Sequence, residues 1–90
     1  MGFEWSYWSL SRAYAAGVQE YEVAQAVRGA WPRPAVVDGL PVLVLWGRTD
    51  AGRGLYVVTR RLSQWDREYV DVRELTADED AELARWEAAR

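Results

Sequence analysis

Guanidinium groups are the reactive side chains that this sequence concentrates. Six of its eleven arginines, Arg48, Arg53, Arg60, Arg61, Arg67 and Arg73, fall between Val42 and Leu75, and lysine is absent. Arginine is a fixed cation whose planar fork of donors matches the oxygens of a phosphate or carboxylate, and it is a poor proton donor. Phosphate-directed chemistry is therefore sought in this stretch. Tyr69-Val70-Asp71-Val72-Arg73 alternates, which on a strand puts a phenol, a carboxylate and a guanidinium on one face and two valines on the core face. Histidine and cysteine are both absent. Their absence excludes an imidazole acid or base, a Ser-His-Asp triad, zinc sites of the usual kind and disulfides. Any catalysis must use Arg, Tyr, Asp, Glu or Ser, and no cofactor or metal is expected.

Charge distribution narrows the partners. The net charge is −3, divided as −1 over residues 1 to 41, +1 over 42 to 75 and −3 over the last fifteen. A general attraction to nucleic acid is not expected, and only a local arginine cluster could supply one. With no basic helix, an intrinsic DNA-binding module is the poorer reading. The longest apolar run, Leu40 to Trp46, is broken by Pro41 and too short to span a bilayer, and no signal pattern opens the chain. A soluble cytoplasmic protein with no membrane partner is expected.

The elements that must position these groups are legible in outline. Ninety residues, half of them hydrophobic, make one domain over 1–90 with a single core near the lower size limit for independent folding. Ser6 is an N-cap for a helix over Tyr7 to Ala16, with Tyr7, Leu10 and Tyr14 on one apolar face beside Ala13, and Gly17 ends it. A second helix runs from Glu20 to Arg28 with Val23, Ala24 and Val27 buried and Glu22 in a capping-box position. Trp31-Pro32-Arg33-Pro34 cannot continue it. Ala35 to Val37 is a short edge strand turning at Asp38-Gly39. Val42 to Trp46 and Leu55 to Thr59 read as central strands with both faces covered, joined by a turn without P-loop spacing. Glu68 to Leu75 is the last strand. Thr76 and Glu79 form a capping box for a helix over Ala77 to Ala88, anchored by Leu83 and Trp86. The expected fold is α+β, with two N-terminal helices packed on a three- to four-stranded antiparallel sheet and a C-terminal helix after it.

Several segments in this order resemble BrnT-type toxins of the RelE-like group. They are Phe3-Glu4-Trp5 before Ser6, Gly17-Val18 before an amphipathic helix, Leu45-Trp46-Gly47-Arg48, Leu55 to Thr59, and Val70-Asp71-Val72-Arg73 before Thr76. The resemblance covers most of the chain through short motifs. It implies metal-independent RNA cleavage that inhibits translation, and a cognate antitoxin protein as partner, with DNA reached only indirectly through the antitoxin. Such a reaction needs a base for the ribose 2′-hydroxyl, fixed positive charge for the phosphorane and a donor for the leaving oxygen. Arg48, Arg61 and Arg73 are the expected cations, converging on one sheet face. Tyr69 or Asp71 would orient substrate, and a carboxylate could act as base. Plainer readings stand beside these. Arg73 and Asp71 could form a cross-strand ion pair, Arg67 likewise, and Arg60-Arg61 could be solvated residues at a strand end. The alternative function is a non-catalytic protein-interaction domain on the same fold.

Overall fold

The computed structural model describes residues 2–90, which fold into a five-stranded sheet with helices on both faces. In chain order the elements are β1 (Gly2–Glu4), α1 (Tyr7–Ala15), α2 (Glu20–Val27), β2 (Trp31–Val37), β3 (Leu40–Arg48), β4 (Gly54–Arg61), β5 (Asp66–Glu74) and α3 (Ala77–Ala89). The sheet order is β1-β5-β4-β3-β2. The three ladders from β2 to β5 are antiparallel, but β1 runs parallel to β5. The α+β class holds, and the expectation of a purely antiparallel sheet of three or four strands is corrected. β1 has only three residues, too few for any periodicity to register. It is held by the Gly2 N–H donating to the Trp65 carbonyl at 3.1 Å and by the Phe3 ring stacked on Tyr69. Among the described residues, no helix is long and apolar enough to cross a membrane.

Local chemistry explains the boundaries. Ser6 caps α1, exchanging hydrogen bonds with Ser9 (Ser9 N–H to Ser6 Oγ 3.1 Å, Ser6 N–H to Ser9 Oγ 2.9 Å). Thr76 and Glu79 do the same for α3 at 3.2 and 2.8 Å. Glu22 accepts from the Gln19 N–H at the start of α2. Asp38 and Gly39 both have positive φ, 51° and 79°, as a two-residue hairpin turn between right-twisted strands requires. β2 is longer than expected, since Pro32 and Pro34 lie inside it on the sheet edge, where a missing N–H removes no ladder bond.

The helix faces differ from the sequence reading. Tyr7 and Tyr14 are exposed, and α1 buries Ser9 and Ala13 instead. Small side chains let α1 lie close against β5, and Ser9 is tolerated there because its hydroxyl donates to the Ser6 carbonyl at 3.2 Å. In α2 the buried pair is Val23 and Ala26, while Ala24 faces out. These residues join Val18, Leu45, Leu55, Val57, Tyr69 and Val72 in the core on one sheet face. The other face is a smaller cluster of Val44, Trp46, Leu75 and Leu83, with Trp31 and Trp86 against it. The Trp31 and Trp86 rings are parallel, with centroids 5.4 Å apart, so Leu83 and Trp86 anchor α3 as their size suggested. Trp46 Nε1 is buried without a partner among the described residues; the indole contributes through stacking and apolar burial.

Candidate functional site

The five expected site residues do not share a face. β4 sends Leu55, Val57, Thr59 and Arg61 toward α1 and α2, and Tyr56 and Val58 toward α3. Opposite β4, the register jumps: Val58 faces Asp71 but Thr59 faces Tyr69, which leaves Val70 as an extra residue in a bulge. A bulge inverts the alternation on one side of itself. Tyr69 consequently lies on the same face as Val72, buried in the main core, while Asp71 and Arg73 face the α3 side. The expectation that Tyr69 shares a face with Asp71 and Arg73 is thereby overturned. Arg61 stands at the far end of β4 on the α1 side, away from Arg48 and Arg73.

Each member of the remaining pair is occupied by α3. Arg48 Nη1 donates to Asp80 Oδ1 and its Nε to Glu87 Oε1, both at 2.8 Å, and Nη1 also reaches the Gly52 carbonyl at 3.3 Å. Arg73 grips Glu79 with two bonds of 2.7 and 2.9 Å, and its guanidinium carbon lies 3.9 Å from the Tyr56 ring centroid. The bonds to Asp80 and Glu87 raise the Arg48 pKa, and that to Glu79 raises the Arg73 pKa. Arg53 is similarly clamped, by Glu74 and Glu22, and Arg60 by Glu68 at 3.1 Å. Asp71 is exposed and accepts from the following Val72 N–H at 2.9 Å. Arg73 pairs with Glu79 rather than Asp71, so the cross-strand pair considered from the sequence gives way to a strand-to-helix pair.

Two titratable groups of this arrangement are moved away from neutrality. The Tyr69 phenol is pushed up to about 12 by burial. Glu79 is held down at about 2, first by the Arg73 hydrogen bonds, with burial opposing and the Thr76 N–H assisting. Both shifts move the groups away from the range in which a general base is effective. Among the described residues, no group of three or more carboxylates could hold a metal ion.

The clamp around Glu79 has a measurable consequence. A carboxyl whose folded pKa lies below its unfolded value of 4.5 contributes stability that is complete above that value and is lost as pH falls toward about 2. Glu79→Gln is expected to cost about 1–2 kcal/mol at pH 7 and to flatten the acid limb of stability between these limits. Urea midpoints of both proteins from pH 7 to pH 2 check this, and parallel acid limbs would count against the clamp.

The acids of α3 were missed as partners for the arginines. Asp80, Leu83 and Glu87 recur at i, i+3 and i+7, so two carboxylates flank the buried leucine on one helix face. Arg67 was also assigned an ion pair, whereas it donates to Thr59 Oγ1 at 2.8 Å and to the Thr59 carbonyl at 3.3 Å. Around these elements lie exposed rings: Trp8, Tyr7, Tyr21 and Trp65 are each more than 60% accessible. A groove of about 390 Å³ between α1 and the β2–β3 hairpin is lined by Trp8, Leu40, Pro41, Val42, Tyr69 and Val70 among others. No family model matches the chain, and neither the curated proteins nor the solved structures give a match.

Proposed function

We propose that this chain is a non-catalytic protein-interaction domain rather than a ribonuclease. The carrying observation is the state of the arginines. Arg48 and Arg73 spend their charge on Asp80, Glu87 and Glu79 of the chain's own α3, and Arg61 faces the opposite side of the sheet. A phosphorane needs cations that converge on one point with a proton acceptor beside them. Here the arginines are paired with the chain's own carboxylates and divided between two faces of the sheet. What the chain does present is exposed aromatic surface, including Trp8, Tyr7 and Trp65, on a small, hydrogen-bonded scaffold. Rings of this kind bury large area with little entropy loss and are enriched where proteins bind one another. The resemblance to BrnT-type toxins suggests one class of partner, a small co-produced protein.

Purified protein added to a cell-free translation reaction tests the proposal, with protein output and messenger RNA integrity followed together. Both are expected to stay intact at high concentrations of folded protein. Loss of messenger RNA that is relieved by Arg48→Ala or Arg73→Ala, in variants with unchanged circular dichroism, would replace this reading with the nuclease.

A further inference from the structure

The β4–β5 turn is flanked by two arginines that have no carboxylate within ion-pair distance among the described residues. Arg61 and Arg67 sit directly opposite each other across the antiparallel pair, an arrangement in which like charges destabilise a sheet. Arg48, Arg53, Arg60 and Arg73 each have an acid within ion-pair distance. Among the described residues, Arg61 instead donates only to the Ser63 carbonyl at 3.2 Å, and Arg67 only to Thr59. Among the described residues, both terminal nitrogens of Arg61 and Nη1 of Arg67 have no acceptor. Burial lowers the Arg67 pKa, and the Arg61 charge lowers it further. An anion arriving between the two guanidiniums would relieve this cross-strand repulsion.

The surroundings say what that anion is. Arg61, Ser63, Gln64, Trp65, Asp66 and Arg67 line a hollow of about 310 Å³, and Trp65 is 68% exposed with Leu62 also open to solvent. The turn is pre-organised. The Leu62 and Ser63 N–H groups both donate to the Asp66 carbonyl, Ser63 Oγ accepts from the Trp65 and Asp66 N–H groups, and Gly2 of β1 donates to the Trp65 carbonyl. Trp65 is therefore presented at little ordering cost. We propose that Arg61, Arg67 and Trp65 form a docking site for an acidic peptide segment of a partner protein, one carboxylate bridging the two guanidiniums and an adjacent apolar side chain lying on the indole.

A carboxylate fits better than a nucleic-acid strand. Asp66 and Glu68 flank Arg67 in sequence, Glu4 stands beside Glu68 in the register, and the chain carries a net charge of −3. A nucleic-acid strand would bring a charge at every phosphate past Asp66 and Glu4, whereas a short acidic segment brings one or two carboxylates to the two guanidiniums. Tryptophan and arginine together are also the usual composition of an energetic hot spot. The inference rests on the interaction-domain reading and names a surface and a partner chemistry for it.

Nitrogen-15 NMR of the arginine Nε–H and indole N–H signals tests the site. The probes are a short peptide with two aspartates flanking a leucine, its asparagine analogue and a uridine hexanucleotide. The aspartate peptide is expected to give saturable shifts at Arg61, Arg67 and Trp65, and the asparagine analogue none. Arg61→Gln, an exposed substitution, is expected to weaken binding about tenfold, as is Arg67→Gln; Trp65→Ala should weaken it further. Absence of saturable shifts overturns the site, as does tighter binding of the hexanucleotide. Failure here leaves messenger RNA intact in the translation assay, so it is distinguishable from failure of the interaction-domain reading.

Discussion

Gly47→Ala is expected to cost at least about 3 kcal/mol or to prevent folding. Gly47 lies on β3 opposite Leu55, on the face that α2 covers. A Cβ built there would overlap the Ala26 carbonyl oxygen, approach its carbon at 2.8 Å and lie 3.1 Å from Ala30 Cβ. The obstacle is backbone, at the last turn of α2, so no side chain can rotate out of the way. Either α2 lifts from the sheet or β3 moves, and both loosen the core formed by Val23, Ala26, Leu45 and Leu55. The urea midpoint of the purified variant is the measurement. A change below about 1 kcal/mol, the scale of a tolerated repacking, would mean that α2 does not rest on β3 at this point.

Caps and turns were the legible part of the fold, because they depend on neighbours in sequence. Ser6, Glu22, the Thr76–Glu79 box and Asp38-Gly39 all act where their types suggested. Features that depend on distant partners were not legible. β1 has no pattern of its own and exists because Phe3 can stack on Tyr69. The helix α1 places Ser9 and Ala13 inward because β5 comes close, although Tyr7, Leu10 and Tyr14 have the better apolar spacing. The bulge at Val70 has the largest effect on the candidate site. A single extra residue moves Tyr69 to the other face of the sheet, and nothing in Tyr69-Val70-Asp71-Val72-Arg73 marks it, since strict alternation is also what a regular strand would show. Pairing of the arginines followed the same rule. Arg48 and Arg73 are cations wherever they are, but whether they face a substrate or Asp80, Glu87 and Glu79 is decided by how α3 crosses the sheet.

Tyr69 separates a structural role from a catalytic one most sharply, through two substitutions. Its ring lies 5.3 Å from Phe3, stacked, and 4.4 Å from Trp5, tilted, so it ties β1 and the start of α1 to β5. Tyr69→Ala should cost about 3–5 kcal/mol, as for other large aromatics removed from a core. Tyr69→Phe should change stability by less than about 1 kcal/mol, because the hydroxyl makes no hydrogen bond to another described residue. The phenol supplies a second readout. Its folded pKa is raised from 10.0 to about 12 by burial, so the neutral form is the one the core favours. The stability linked to this group is complete below about pH 10 and is lost as pH rises from 10 toward 12. In the Tyr69→Phe protein that alkaline loss should be smaller, and in the wild type the last phenolate to appear in ultraviolet titration should coincide with unfolding. If Tyr69→Phe were as damaging as Tyr69→Ala, the hydroxyl would be carrying a bond that the fold does not display. If it left stability intact but abolished an activity on RNA, a proton-transfer role would return despite the raised pKa. Intact stability, with protein and messenger RNA output unchanged, is the expected result, since a ring that joins the first strand to the last is fully explained by what it touches.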